Sequence, residues 1–360
     1  MKTLLFFLVS LLTMSKALAV NCEDQKIIES YKPSYAKLFK IHYYENFKIV
    51  ESGRAEFNSK ADRFIVTDKK LNCSTSLPLF KGNSTRFVAT STTHLPFLNF
   101  FKLHKTLVGF QGLSYIYDPL FNKQLIKEIN FDLNPEELLS LKSDIMIAYP
   151  ENLRRPERLR ELRKLMIPIV LNHDLEEKHP LARAEWIVFM SLFFNKDKEA
   201  KKLFNEIAKN YEDLKKDLST LLTKNILVGE IQNGRWVTCG GKSDLALLIS
   251  DAGGKLALNN TSSQTQYLSL EKVLKITTLP EIWLPQNTWA DKASMKLDSR
   301  YEKFSSITIF NNINRLNQKG FNDYWEGGLA RPDHLLMDLA KILHPEKYPQ
   351  VDMAWYKELK

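Results

Sequence analysis

Signals of catalytic chemistry are scarce in this 360-residue chain. It has no G-x-S-x-G elbow, no H-E-x-x-H pair and no two carboxylates set together as an acid–base couple, so an exported hydrolase ranks behind a binding role. Its seven histidines form no His-rich loop and show no tight ligand spacing. The three cysteines are spaced unlike any zinc site, and no resident metal or cofactor is expected. A basic arm and any nucleic-acid-binding motif are missing as well. Lys and Arg are spread along the chain, so the formal charge of +9 is read as a solubility feature and nucleic acid is excluded as a partner. Gly-Gly-Lys-Ser at 240–243 ends like a P-loop, but Trp236 stands where that motif needs a Gly. Beyond residue 19 no apolar run is long enough to span a bilayer.

What remains is an ordinary globular composition, 44% hydrophobic and 26% charged, with a length that favours two lobes. The opening MKTLLFFLVSLLTMSKALA has an early Lys2, an apolar run from Leu4 to Leu12 and the small-residue ending Ala17-Leu18-Ala19. That layout predicts a secretory signal cleaved after Ala19 and a soluble mature protein. Cys22 invites a lipoprotein reading, but Ala19-Val20-Asn21 puts bulky residues where a lipid-attachment site wants small ones. Cys22 and Cys73 fall in the same half, where an oxidising compartment allows them to pair. Sequence supplies no geometry, so a bridge and two free thiols both stand, with Cys239 left over as a small buried residue.

The pattern along the chain repeats. The early stretch KLFKIHYYENFKIVES reads as helical and strand-like material, and RFIVTD as a strand. The strand TRFVATS (85–91) then runs into Thr92, Thr93 and His94 and a helix opened by Pro96. DIMIAYP (144–150) and IPIVLN (167–172) are further apolar strands around the charged helix RRPERLRELRKL, which implies a largely parallel sheet. Residues 195–222 carry apolar side chains at steps of three and four, with Asn195 as N-cap; such a helix is ~39 Å long and can reach across two lobes. ILVGEI (226–231) restarts the pattern, a loop NGRWVTCGGKS follows, and the helix DLALLISDAGG closes at Gly253. The predicted fold is α/β: two similar Rossmann-like lobes, 20–194 and 223–360, joined by one long bridging α-helix at 195–222.

LNPEELLSLKSDIMIAY (133–149) and LSLEKVLKITTLPEIWL (268–284) are the same phrase twice, each with a Glu heading a short helix before a strand. With the bridging helix and GRWVTCGGKSDLALLISDAGG, these stretches resemble the periplasmic substrate-binding proteins of ABC importers that capture ferric siderophores, haem and vitamin B12. HPLARAEWIVF (179–189) and DYWEGGLARPDHLLMDLAKILHPE (323–346) fit a subgroup of such proteins. The resemblance implies a monomeric, non-enzymatic periplasmic protein that delivers an iron complex or corrinoid to an ABC-type permease in the inner membrane. It also implies that Glu136 and Glu271, with Glu137 as a weaker neighbour, dock into arginine pockets of that permease. Acidic residues also favour helix starts for local reasons. One departure is the segment 97–127, longer and more aromatic than the resemblance leads one to expect. The competing readings are a zinc or manganese binder using His94, His173 and His179, an exported hydrolase, and a non-transport sensor.

In such folds the ligand meets the loops that follow the strands. The candidates are Thr92, Thr93 and His94, which either bind an anion at a helix start or simply cap it. Tyr115, Tyr117 and Tyr149 join them as aromatic surface. Arg183, Glu185 and Trp186 lie on one helix, with Arg183 and Trp186 a turn apart. Arg235 and Trp236, Trp289, and Trp325 with Arg331 complete the set. Aromatic planes suit a macrocycle or catechol and Arg suits a negatively charged complex, although ordinary core packing competes for each aromatic.

Overall fold

The computed structural model describes residues 20–53, 61–153, 155, 157–276, 280–287 and 289–360. The expected signal over 1–19 and its cleavage site lie outside the described residues. Among those described, no helix is long and apolar enough to cross a membrane.

Five strands open the chain: β1 (Glu29–Tyr31), β2 (Phe39–Tyr43), β3 (Lys48–Ser52), β4 (Asp62–Thr67) and β5 (Leu79–Lys81), in that spatial order. All pairs are antiparallel except β4 with β5. RFIVTD forms the expected strand, β4, while KLFKIHYYENFKIVES, read as partly helical, is sheet instead. Alternation explains it: in β2, Phe39 and Ile41 are buried while Lys40 is exposed, the period of a strand with a dry face. Cys22 and Cys73 form a disulfide with Cα atoms 5.0 Å apart, beside Phe47, Ile49 and Ile65 on the other face.

A second sheet holds β6 (Phe87–Ala89), β7 (Leu107–Phe110), β8 (Lys127–Glu128), β9 (Ile145–Ala148) and β10 (Ile169–Leu171) in the order β10-β9-β6-β7-β8, all parallel. Every residue of β6, β9 and β10 is buried, as expected of a parallel sheet covered on both faces. Its helices are α1 (Pro96–Phe100), α2 (Pro135–Ser140), α3 (Glu157–Lys164) and α4 (Pro180–Ser191).

The bridging helix α5 runs Asp197–Leu218. Its 22 residues span ~33 Å, with Ala200, Phe204, Ile207, Tyr211 and Leu218 buried. Asn195 does not cap it. That residue turns in the left-handed region at φ +52°, and Lys196 takes the cap position without a side-chain bond.

After α5 a third sheet forms from β11 (Lys224–Val228), β14 (Gly254–Leu256), β16 (Ile282–Leu284), β17 (Thr308–Asn311) and β18 (Lys357–Glu358), ordered β14-β11-β16-β17-β18. Only its edge strand β18 is antiparallel. A small antiparallel sheet is set in between, β12 (Glu230–Gln232), β13 (Arg235–Thr238) and β15 (Gln266–Ser269). The expected loop NGRWVTCGGKS is thus partly a hairpin: Asn233 and Gly234, with φ +47° and +76°, make the two-residue turn favoured by right-twisted strands. Helices α6 (Asp244–Asp251), α7 (Leu270–Leu274), α8 (Lys292–Lys296), α9 (Gly327–Ala330) and α10 (Pro332–Leu343) complete this half. Helix α5 packs on α4 on one side and α10 on the other, tying the two parallel sheets together. The architecture is α/β with two lobes and one long helix between them.

Candidate functional site

The loops after β9 and β10 of the first lobe and after β11, β13 and β16 of the second converge on one cleft of about 620 Å³. Arg183 of α4 reaches across it: its Nη1 lies 2.9 Å from Oδ2 of Asp244, the first residue of α6. Ser243 caps α6 by accepting from the Ala246 N–H, which orients Asp244 at the cleft wall. Trp325 also lines the cleft and remains 46% exposed. Among the described residues, two buried polar atoms of the cleft have no hydrogen-bond partner, Glu230 Oε2 and Arg183 Nε. Glu230 opens β12 directly after Gly229, whose φ of +103° turns the chain out of β11.

Beneath the first-lobe wall lies a polar core. The Tyr149 hydroxyl donates to Asp174 at 2.7 Å and also meets the Thr93 hydroxyl. Burial pushes the Asp174 carboxyl up to about 6, against the opposing pull of Tyr149 and Arg183. His94 is 1% exposed, tilts against the Tyr149 ring at 4.7 Å and has neither ring nitrogen bonded. Burial lowers its pKa to about 3, so it is a neutral packing group. Thr92 and Thr93 are half-buried in the turn ahead of α1, where Ser91 accepts from the Thr93 N–H.

The segment 97–127, the departure noted in the sequence, contacts the second lobe. Asn317 Nδ2 donates to the carbonyls of Ser114 and Ile116 at 2.9 and 3.0 Å. Tyr115 meets Phe321 edge-on at 4.5 Å, and the Arg315 guanidinium sits 5.1 Å from the Tyr117 ring centre. The Tyr117 N–H donates to Glu326 Oε2 at 2.9 Å. Glu326 is 2% exposed, and burial pushes its carboxyl up to about 7. Tyr115 and Tyr117 therefore belong to an interlobe latch. Arg331 lines a neighbouring groove of about 410 Å³ with Tyr117 and Trp355. It is paired with Asp333 at 2.8 Å and touches His334.

Four expected ligand contacts are structural instead. Glu185 is wholly buried and accepts four bonds at 2.8 Å, from the Tyr31 hydroxyl and the N–H groups of Ser34, Tyr35 and Ala36. Trp186 is 1% exposed, donates its indole N–H to Glu177 and packs on Phe39 and Phe189. Trp236 points into the core from β13, bonded to the Val228 carbonyl at 2.9 Å among Trp283, Tyr301 and Phe304. Arg235, at the hairpin end of β13, is exposed and lies outside the cleft lining that Val237 and Thr238 reach from the other end of the strand. Trp289 packs on Trp283 and Tyr301 in the same cluster. Of the set, Arg183 and Trp325 reach the cleft. Sequence reasoning missed Glu230 and Asp244, although each sits where a strand ends or a helix begins.

Among the described residues, no group of three or more His, Cys, Asp or Glu side chains is arranged to hold a metal ion. His173 bonds Glu176, and His179 Nδ1 accepts from the Leu181 N–H at the start of α4. Glu136 and Glu271 are both exposed, in the first turns of α2 and α7, behind the caps Asn134 and Ser269. Glu271 also pairs with Lys275 at 2.6 Å.

Residues 120–314 match the profile of the family described as Periplasmic binding protein. An uncharacterized lipoprotein of Methanocaldococcus jannaschii is 22% identical, across 87% of this chain and 82% of its own. A periplasmic heme binding protein of Pseudomonas aeruginosa superposes with TM-score 0.55 at 14% identity, covering 77% of this chain and 98% of that one. A periplasmic vitamin B12 binding protein of Vibrio cholerae gives TM-score 0.50 at 17% identity, covering 72% and 97%. At these identities the superpositions speak to the fold.

Proposed function

Because the chain belongs to the periplasmic binding protein family, we propose that it captures a small molecule in the interlobe cleft and delivers it to an ABC-type permease. The setting of that family is extracytoplasmic, and the family is the siderophore, haem and vitamin B12 type. The observation that carries capture is the cleft. It lies where two parallel sheets aim the ends of their strands at each other, the place where open α/β sheets take ligands. Its walls carry polar atoms that the protein itself does not satisfy.

Delivery is supported by the pair Glu136 and Glu271. Each is exposed on a short capped helix that leads into a central strand of its own lobe, β9 and β16. Two carboxylates on matching elements suit a two-fold symmetric partner. On this reading the mature protein is a monomer that starts near Val20, with lobes of 20–194 and 223–360 about a bridge at 195–222. Its cysteine pair favours an unlipidated form, since the sulfur of Cys22 is bonded to Cys73.

Mass spectrometry of small molecules carried through native purification tests capture. Wild type should retain a ligand that Arg183→Ala loses. The double variant Glu136→Arg/Glu271→Arg should keep the ligand while permease-dependent uptake collapses. Unimpaired uptake in that double variant would sink the docking assignment.

A further inference from the structure

The charged lining of the cleft is unequal. Lys178, Arg183 and Lys242 supply its cations. Against them stand Glu151, Glu176, Glu177, Glu230 and Asp244. Arg183 is held by Asp244, and Lys178 and Lys242 are exposed, where water screens them. Among the described residues of the cleft, no buried, unpaired cation therefore waits for an anion. On the acidic side, Glu177 is engaged by the N–H groups of Lys37 and Leu38 and by Trp186, and Glu176 by His173.

Glu230 differs from these. It is 6% exposed, Gln232 satisfies its Oε1 at 2.8 Å, and its Oε2 is buried without a donor. A buried carboxylate oxygen left this way is costly unless something else donates to it. The remaining lining mixes hydroxyls and amides, such as Thr238, Ser243, Gln264 and Thr265, with the aliphatic side chains of Val237 and Leu248. Trp325 is the aromatic ring that the cleft exposes. A flat macrocycle with acidic arms finds, among the described residues of this cleft, no guanidinium free of a carboxylate partner. An ammonium finds a carboxylate oxygen and a ring face.

We propose that the ligand is a polar molecule bearing a cationic amine, received by Glu230 in the cleft that Trp325 also lines. This rests on the capture reading and narrows it to one chemical class. The test titrates the full mature chain by tryptophan fluorescence with three probes. These are ferrioxamine B, a ferric trihydroxamate with a pendant ammonium; its N-acetyl derivative, which lacks that charge; and haemin. Wild type should bind ferrioxamine B at least ~10-fold more tightly than the acetylated form and more tightly than haemin. Glu230→Gln should bring the two hydroxamates within ~3-fold of each other, with an unfolding midpoint no lower than that of wild type. Equal affinity for both hydroxamates in wild type, preference for haemin, or no binding of ferrioxamine B overturns the amine assignment. The acetylated probe reads the same property without any mutation, so a misfolded variant does not decide the matter. Capture itself stands or falls separately, on whether a ligand co-purifies and depends on Arg183.

Discussion

Replacing Glu326 by Gln should change how stability responds to pH, with a sign set by burial. Glu326 is 2% exposed, and its carboxyl sits at about 7 in the folded protein instead of the usual 4.5. Burial is the largest cause, Asp323 and Asp118 add to it, and the N–H groups of Tyr117 and Asp118 oppose it. Below pH 4.5 folded and unfolded chains both hold the proton, so the group contributes no slope. Between 4.5 and 7 the folded chain keeps a proton that the unfolded chain has released, and stability falls as pH rises. Above 7 the full penalty of ~3 kcal/mol applies. Asp174, at about 6, acts in the same direction. His94, at about 3, acts in the opposite one, because neutral burial costs less as pH approaches 6.5. The raw pH curve is therefore a composite, and the difference between variants isolates Glu326. Gln keeps an acceptor for the Tyr117 N–H and removes the charge. Urea unfolding at pH 5 and pH 8 should show Glu326→Gln close to wild type at pH 5 and ~2–3 kcal/mol more stable at pH 8. An equal difference at both pH values would refute the argument.

Trp236→Ala should cost ~3–5 kcal/mol in chemical unfolding, with ligand affinity unchanged for the folded fraction; lost affinity at intact stability would return Trp236 to the cleft. Glu185→Ala strands three backbone N–H groups and the Tyr31 hydroxyl, and should lower stability by at least ~3 kcal/mol. Cys73→Ser opens a crosslink between residues 51 apart and should cost ~4 kcal/mol, measured against wild type with and without reductant; a smaller loss than ~1 kcal/mol would remove the bridge from the fold's support. Scattering curves with and without ligand should nearly superimpose, and a large fall in radius of gyration would count against a stiff α5.

The parallel sheets and α5 were legible because each follows from local pattern: unbroken apolar runs for β6, β9 and β10, and steps of three and four for the helix. The first sheet was not, since its antiparallel pairing depends on register between segments far apart in sequence. The hairpin of β12 and β13 carried its signal openly in Asn233-Gly234 and in the alternation of Arg235 with Trp236. Reading that stretch as loop turned a core tryptophan into a cleft residue. Helix α4 misled for another reason. Nearly all of it is buried, because the first sheet, α1, α5 and α9 surround it. Spacing on such a helix says which side chains share a face, but not which face meets ligand. Glu185 and Trp186 therefore went to the core while Arg183, nearer its start, reached the cleft.

The same embedding explains how the site can be both stiff and selective. At the back, α5 holds the lobes through a continuous ladder of backbone bonds packed on α4 and α10. At one mouth, Asn317, Arg315 and Glu326 grip the 114–117 backbone and rings. Closure around a ligand then has little range, so shape and charge must be right before the ligand arrives. A preformed cleft that already holds one ion pair between its walls gains most from a ligand that meets its unsatisfied groups. In this chain the buried oxygen of Glu230 is such a group, and Arg183, already paired with Asp244, is left with only its Nε to offer.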